Sequence, residues 1–218
     1  MSNHRTAYGI FQGVPGTVVC FDIGGVLVRI NHTWNEAALS AGVKTKLETD
    51  TRLNDSPHLI EYQAGQIDVD SYGEGLGQWL GTPKEEALLV HSRILVSDYP
   101  GALELVAELK SNGIWTCCFS NTNDLHWIVL TDPQHFPAVA SLDQKIASHE
   151  LRAAKPDVAA YKQVEEMLPL RSERIVFFDD TLENIYGAAE AGWEAFRLDP
   201  AGDTIAEARS ILTKMELI

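Results

Sequence analysis

A chain of 218 residues that is 45% hydrophobic can build one large domain, or a core domain carrying a smaller insert. Its formal net charge of −14 argues against nucleic acid as a partner, and an anionic substrate would need a locally positive site such as a bound divalent cation. No apolar run is long enough to cross a membrane, and three cysteines, an odd number, speak for a reducing cytoplasm rather than a disulfide framework.

The first stretch, MSNHRTAYGIFQGVPG (1–16), is polar, lacks the apolar middle of a secretory signal and reads as a short extension. Val18, Val19, Cys20 and Phe21 then predict a short strand buried on both faces. It ends on Asp22 and turns through Gly24 and Gly25, so a carboxylate stands where the backbone can approach a ligand closely. From about Thr33 to Leu95 the strand rhythm breaks. WNEAALSAG, PHLIEYQAGQ, YGEGLGQWLG and TPKEEALLVHSRIL read as helices with little strand between them, a helical insert (33–95) in which Trp34 and Trp79 pack.

Beyond the insert, PGALELVAELKSNG is a helix opened by Pro100 and stopped at Asn112-Gly113. IWTCCFSNTN is a strand running to Ser120 and Asn121, with Cys117 and Cys118 as packing residues on opposite faces. KIASHELRAAKPD gives a short strand and a loop to Lys155-Pro156-Asp157. Asp157 then caps the helix VAAYKQVEEML, which shows Val158, Tyr161, Val164 and Leu168 on one face. RIVFFDDTLEN is the clearest buried strand and ends on Asp179-Asp180; the helix after it closes at Gly192, and AFRL is a final strand. Strands alternating with helices imply an α/β core (17–32 and 96–218) built on a Rossmann-like, doubly wound parallel sheet. Ligands of such sheets sit outside the carboxyl ends of the strands, where Asp22, Ser120, Asp179, Asp180 and, by its loop, Lys155 would gather.

Each of these elements has a plainer reading alone: Asp179-Asp180 as a helix cap, Ser120-Asn121-Thr122 as a turn, Lys155-Pro156-Asp157 as a solvated helix start. Together they supply what phosphoryl transfer to an enzyme carboxylate needs. Asp22 is the candidate nucleophile, Lys155 a fixed cation that holds it ionised, and Ser120 and Asn121 candidate holders of the phosphate oxygens. Asp22 and Asp180, with Asp179 direct or through a water, suit Mg²⁺. His126 and His149 lie near these residues without a second ligand at metal spacing.

In order, FDIGGVL, FSNTN, KPD and FFDDTLEN resemble the four motifs of the haloacid dehalogenase-like hydrolase superfamily, over essentially the whole chain beyond the extension. SNTNDLHW, FFDDTLENI and Gly24 look most like the bacterial α-D-glucose-1-phosphate phosphatase group, with epoxide hydrolase phosphatase domains more distant. The resemblance implies a helical cap over a Rossmann-like core. It also implies Mg²⁺-dependent phosphatase activity on a small phosphorylated metabolite such as a sugar phosphate, with no nucleic acid or membrane partner. The Gly24 carbonyl would be a further metal ligand, and Tyr62 and Gln63 would be cap residues facing substrate, core packing being the alternative for Tyr62. Phosphatases of this superfamily usually carry a second aspartate where this chain has Gly24, so metal binding survives while acid–base help, worth ~10²–10⁴-fold, is in doubt. Two other classes compete: a haloacid dehalogenase in which Asp22 attacks carbon without metal, and a catalytically weak protein that binds a phosphometabolite or partner through the cap.

Overall fold

The apolar runs become parallel strands because each is bounded by a polar strand end and a helix long enough to cross back over the sheet. The computed structural model describes residues 16–48, 51–168 and 174–218; all but Gly16 of the expected N-terminal extension lies outside them. The strands are β1 (Thr17–Phe21), β2 (Val28–Ile30), β3 (Leu95–Asp98), β4 (Trp115–Ser120), β5 (Gln144–Ala147), β6 (Arg174–Asp179) and β7 (Glu194–Arg197). Five of them form one parallel sheet in the order β5-β4-β1-β6-β7, which is the expected α/β, Rossmann-like architecture.

Side chains alternate across this sheet, and two hydrophobic clusters cover its faces. Val19, Phe21 and Cys118 face the helices Ala102–Ser111 and Thr204–Lys214, while Val18, Cys20 and Cys117 face Val158–Met167 and Leu182–Glu190. The adjacent cysteines therefore do point to opposite sides, and all three cysteines are free. Tyr161, Val164 and Leu168 are buried on the face expected of them, and the Asp157 side chain caps that helix by accepting from Ala159 N–H.

Between β2 and β3 lie the helices Trp34–Ala41, Leu59–Gln63, Val69–Leu80 and Lys84–Ser92. They hold a third cluster of their own, in which Trp34 is fully buried and meets the Trp79 ring edge-on at 5.7 Å. Two elements exceed the sequence reading. The β2–β3 antiparallel ribbon at the foot of the insert has strands of three and four residues, too short to show a period. The C-terminal helix Thr204–Lys214, capped by Asp203, buries only Ile205, Ala208 and Leu212 among its apolar residues. Among the described residues no helix is long and apolar enough to cross a membrane.

Candidate active site

Parallel register carries the carboxylates together. Phe21 of β1 pairs with Cys118 of β4 and Phe178 of β6, and the Asp22 N–H still donates to the Phe178 carbonyl at 2.8 Å. Asp22 thus leaves β1 beside Asp179, the last residue of β6, and Ser120 ends the strand on the other side. Two-residue alternation turns Asp22 and Asp179 toward the face of Cys20 and Phe177. Lys155 comes from the same face, on the loop before Val158–Met167.

The Lys155 side chain is almost wholly buried, with Nζ 2.8 Å from Asp22 Oδ1 and 2.6 Å from Asp179 Oδ2. It lies 5.6 and 5.3 Å from the ring centroids of Phe119 and Phe177. Burial alone would lower its pKa; the carboxylates of Asp179 and Asp22 outweigh that and hold the ammonium above its ordinary range. Asp179, fully buried, is saturated: besides Lys155 it accepts from the Thr181 N–H at 2.8 Å and from the Asn184 amide at 3.0 Å on each oxygen.

Asp180 is different. Burial, then the charges of Asp22 and Asp179, push its carboxyl from 3.8 up to about 7. Oxygens of Asp22, Asp179 and Asp180 all lie within 4.8 Å of one another, and one lysine leaves this trio with an excess of negative charge. Asp22 Oδ1 is buried and, despite its closeness to Lys155, lacks an aligned hydrogen bond. Gly25 makes the approach of Asp180 sterically feasible: it has φ 74°, and a Cβ there would lie 2.6 Å from Asp180 Oδ2. These features fit a divalent cation held by Asp22 and Asp180. The saturated Asp179 is suited to act through a water and to anchor Lys155.

The left-handed turn falls on Gly25 and not on Gly24, whose added Cβ would meet only the Ile30 side chain, at 3.3 Å. In this turn Ile23 O accepts from Leu27 and Val28, and Val28 O from Gly25, so the Gly24 carbonyl stays out of its hydrogen bonds.

Asn121 takes a role beyond the one expected. Its amide donates to Lys155 O at 2.8 Å and its carbonyl accepts from Lys155 N–H at 2.9 Å, so both ends grip the lysine backbone, and the second amide N–H is left for another acceptor. It is not at a helix N-terminus; Asn123 caps the helix Asp124–Leu130. Ser120 lines an open pocket of about 460 Å³, part of it solvent, together with Gly24, Asn121 and Gln63.

Tyr62 is not among the lining residues: it is buried, stacks on Tyr72 at 4.2 Å and donates its hydroxyl to Asp124. It belongs to a polar seam between insert and core. There His91 is buried with its ring stacked 4.0 Å from that of His126, its Nε2 3.2 Å from Asn123 Oδ1 and its Nδ1 2.8 Å from the Tyr72 hydroxyl. His126 Nε2 donates to His91 O at 2.9 Å, and burial lowers the pKa of both rings, His126 to about 4. Ser148 accepts from the Thr122 N–H at 3.0 Å and donates to Gln63 O at 2.6 Å, tying the Ser120 loop to the insert.

Sequence reasoning gave no role to Asn184, Ser148 or Asp124. The first had a signal, since it sits in the quoted FFDDTLEN one turn into the helix after Asp179; the other two bond to insert residues 62 and 85 positions away and leave no local pattern.

Among proteins of known name, the chain is 26% identical over 125 residues to phosphatase MT3486 of Mycobacterium tuberculosis, a match covering 56% of this chain and 55% of that protein. It thus spans about half the length of that relative. It is 26% identical over 201 residues to (S)-2-haloacid dehalogenase 1 of a Pseudomonas species, covering 88% of this chain and 82% of the other. A haloacid dehalogenase family enzyme from Bacteroides thetaiotaomicron, solved with magnesium and inorganic phosphate, shares the fold with TM-score 0.68 at 20% identity, covering 86% of this chain and 96% of that one. The sequence profile of the haloacid dehalogenase-like hydrolases matches residues 17–192. That span begins at β1, runs just past the helix after Asp180 and encloses every residue of the carboxylate–lysine site, and the chain belongs to the haloacid dehalogenase-like hydrolase family.

Proposed function

We propose that the protein is a Mg²⁺-dependent phosphatase acting on a small phosphorylated metabolite in the cytoplasm. The observation that carries this reading is the buried Lys155 bridging Asp22 and Asp179, beside an Asp180 on which the charges of these two carboxylates outweigh that of the lysine. Asp22 and Asp180, with the Gly24 carbonyl, would hold the cation, which screens nucleophile and phosphate from each other when bound.

Asp22 attacks phosphorus, the phosphorus–oxygen bond to the leaving alcohol breaks, and an aspartyl-phosphate forms on Asp22; water then attacks phosphorus and frees Asp22 and inorganic phosphate. Lys155 holds its charge against Asp22 throughout, with Asn121 and Asp179 fixing the lysine at its backbone and its ammonium. The Ser120 hydroxyl, at the end of β4 beside the pocket, is placed to donate to a phosphate oxygen. Gly24 offers no proton, so the leaving oxygen must take one from solvent, which favours leaving groups that depart as stable anions.

The test is hydrolysis of an aryl phosphate by the full chain and by Asp22→Asn, with Mg²⁺ and with chelator. Turnover should require both Asp22 and Mg²⁺. Substantial turnover by the variant would sink the assignment. The Pseudomonas relative and the largely aliphatic pocket favour the dehalogenase as second reading; halide release in excess chelator from a 2-haloalkanoate would establish it instead.

A further inference from the structure

Resting on the phosphatase reading, we infer that the organic group of the substrate is compact and apolar, not a polyol. The pocket that opens from Gly24 and Ser120 is walled by Ile23, Ile30, Leu53, Leu59, Ile94 and Leu95, drawn from the turn after β1, the insert and the approach to β3. None of its lining residues is Asp, Glu, Lys or Arg. Of its roughly 460 Å³ much is open to solvent, so the enclosed space is small.

Several polar atoms on this wall are already engaged. Both ends of the Asn121 amide grip Lys155, the Thr122 N–H donates to Ser148, and His126 Nε2 donates to His91 O. What remains is the Gln63 amide, His126 Nδ1 and, in consecutive residues at the end of β4 where the phosphate would sit, the Ser120 hydroxyl, one Asn121 N–H and the Thr122 hydroxyl. A sugar would bring several hydroxyls to a wall whose side chains beyond the end of β4 are mostly aliphatic, and each buried without a partner costs roughly one to two orders of magnitude in binding. A hydrocarbon group meets matching aliphatic surface, and each methylene it buries improves binding by about fourfold.

The test is calorimetric titration of the full chain, in Mg²⁺, with methyl-, ethyl-, propyl- and butylphosphonate and with 3-hydroxypropylphosphonate. Affinity should climb about fourfold per methylene, the hydroxylated compound should bind worse than propylphosphonate, and Leu53→Gln, at a partly exposed wall position, should flatten the series. A flat series, or tighter binding of the hydroxylated compound, overturns the inference. The two readings part cleanly. Mg²⁺-dependent aryl phosphate turnover with a flat series removes only the apolar assignment, whereas a rising series without turnover removes the phosphatase reading and keeps the pocket.

Discussion

Replacing Asp180 with asparagine should stabilise the metal-free protein, and more at pH 8 than at pH 5. Burial, Asp22 and Asp179 raise the Asp180 carboxyl from 3.8 to about 7, a difference of about three units, and each unit is worth about 1.4 kcal/mol. The folded state therefore binds this proton more tightly than the unfolded state. Below pH 3.8 both states are protonated and nothing is lost; between 3.8 and 7 the unfolded chain has released the proton, and stability falls as pH rises; above 7 the whole cost, about 4 kcal/mol, is present. At pH 5 only about 1.6 kcal/mol of it is felt, so the gain from Asp180→Asn should be about 2 kcal/mol larger at pH 8. Urea unfolding of both proteins in excess chelator, at each pH, measures this directly, and the asparagine keeps the position that accepts from Thr181. Mg²⁺ should then stabilise the native protein and not the variant. An equal gain at the two pH values, or a loss at pH 8, would refute the electrostatic account of the site.

Other substitutions probe the supports of the site. Asn121→Ala removes both bonds to the Lys155 backbone and should cost about 1–3 kcal/mol in unfolding experiments while lowering kcat; full activity at an unchanged Tm would show that the lysine needs no such grip. Gly25→Ala forces a β-carbon into a left-handed turn, at ~1–2 kcal/mol, and displaces Asp180, so calorimetry should find weaker Mg²⁺ binding than in the native protein. Gly187→Ala would set a Cβ 2.2 Å from Pro156 O, pushing the helix Leu182–Glu190 off the Lys155 loop; Tm and turnover should fall together. Gly24→Asp meets no left-handed strain and should speed hydrolysis of poor leaving groups most, within the ~10²–10⁴-fold that a well-placed acid supplies; the dependence of rate on leaving-group pKa, compared between the two proteins, reads it out.

The sheet and the carboxylate cluster are legible in the sequence because a charge at the end of a buried strand is conspicuous. Phe21-Asp22 and Phe178-Asp179-Asp180 interrupt apolar runs, and parallel register brings such ends to one edge without further information. For Asn121 the local pattern shows only its place beside Ser120, which suits a phosphate holder and says nothing of a second role. Its partner is the backbone of Lys155, 34 residues on, and a bond to a main-chain atom makes no demand on the partner's identity. For Tyr62 the sequence leaves substrate contact and core packing open: HLIEYQAGQ marks a helix, but which of its sides meets the pocket depends on Tyr72 and Asp124, from other elements. Gln63, its neighbour, does line the pocket.

The seam between insert and core holds the pocket wall firmly. Apart from the connection at Asn31–Thr33, four hydrogen bonds cross it among the described residues: Tyr62 to Asp124, His91 to Asn123, His126 to the carbonyl of His91, and Ser148 to the carbonyl of Gln63. When the two halves part, water replaces each lost partner, so each bond contributes only about 0.5–1.5 kcal/mol net, and the four together about 2–6 kcal/mol. A form with all four bonds broken would then be populated at roughly one molecule in 30 to one in 25,000. Parting of the seam is therefore a rare excursion, and Gln63 keeps its place beside Ser120 on the wall of a pocket that stays open to solvent.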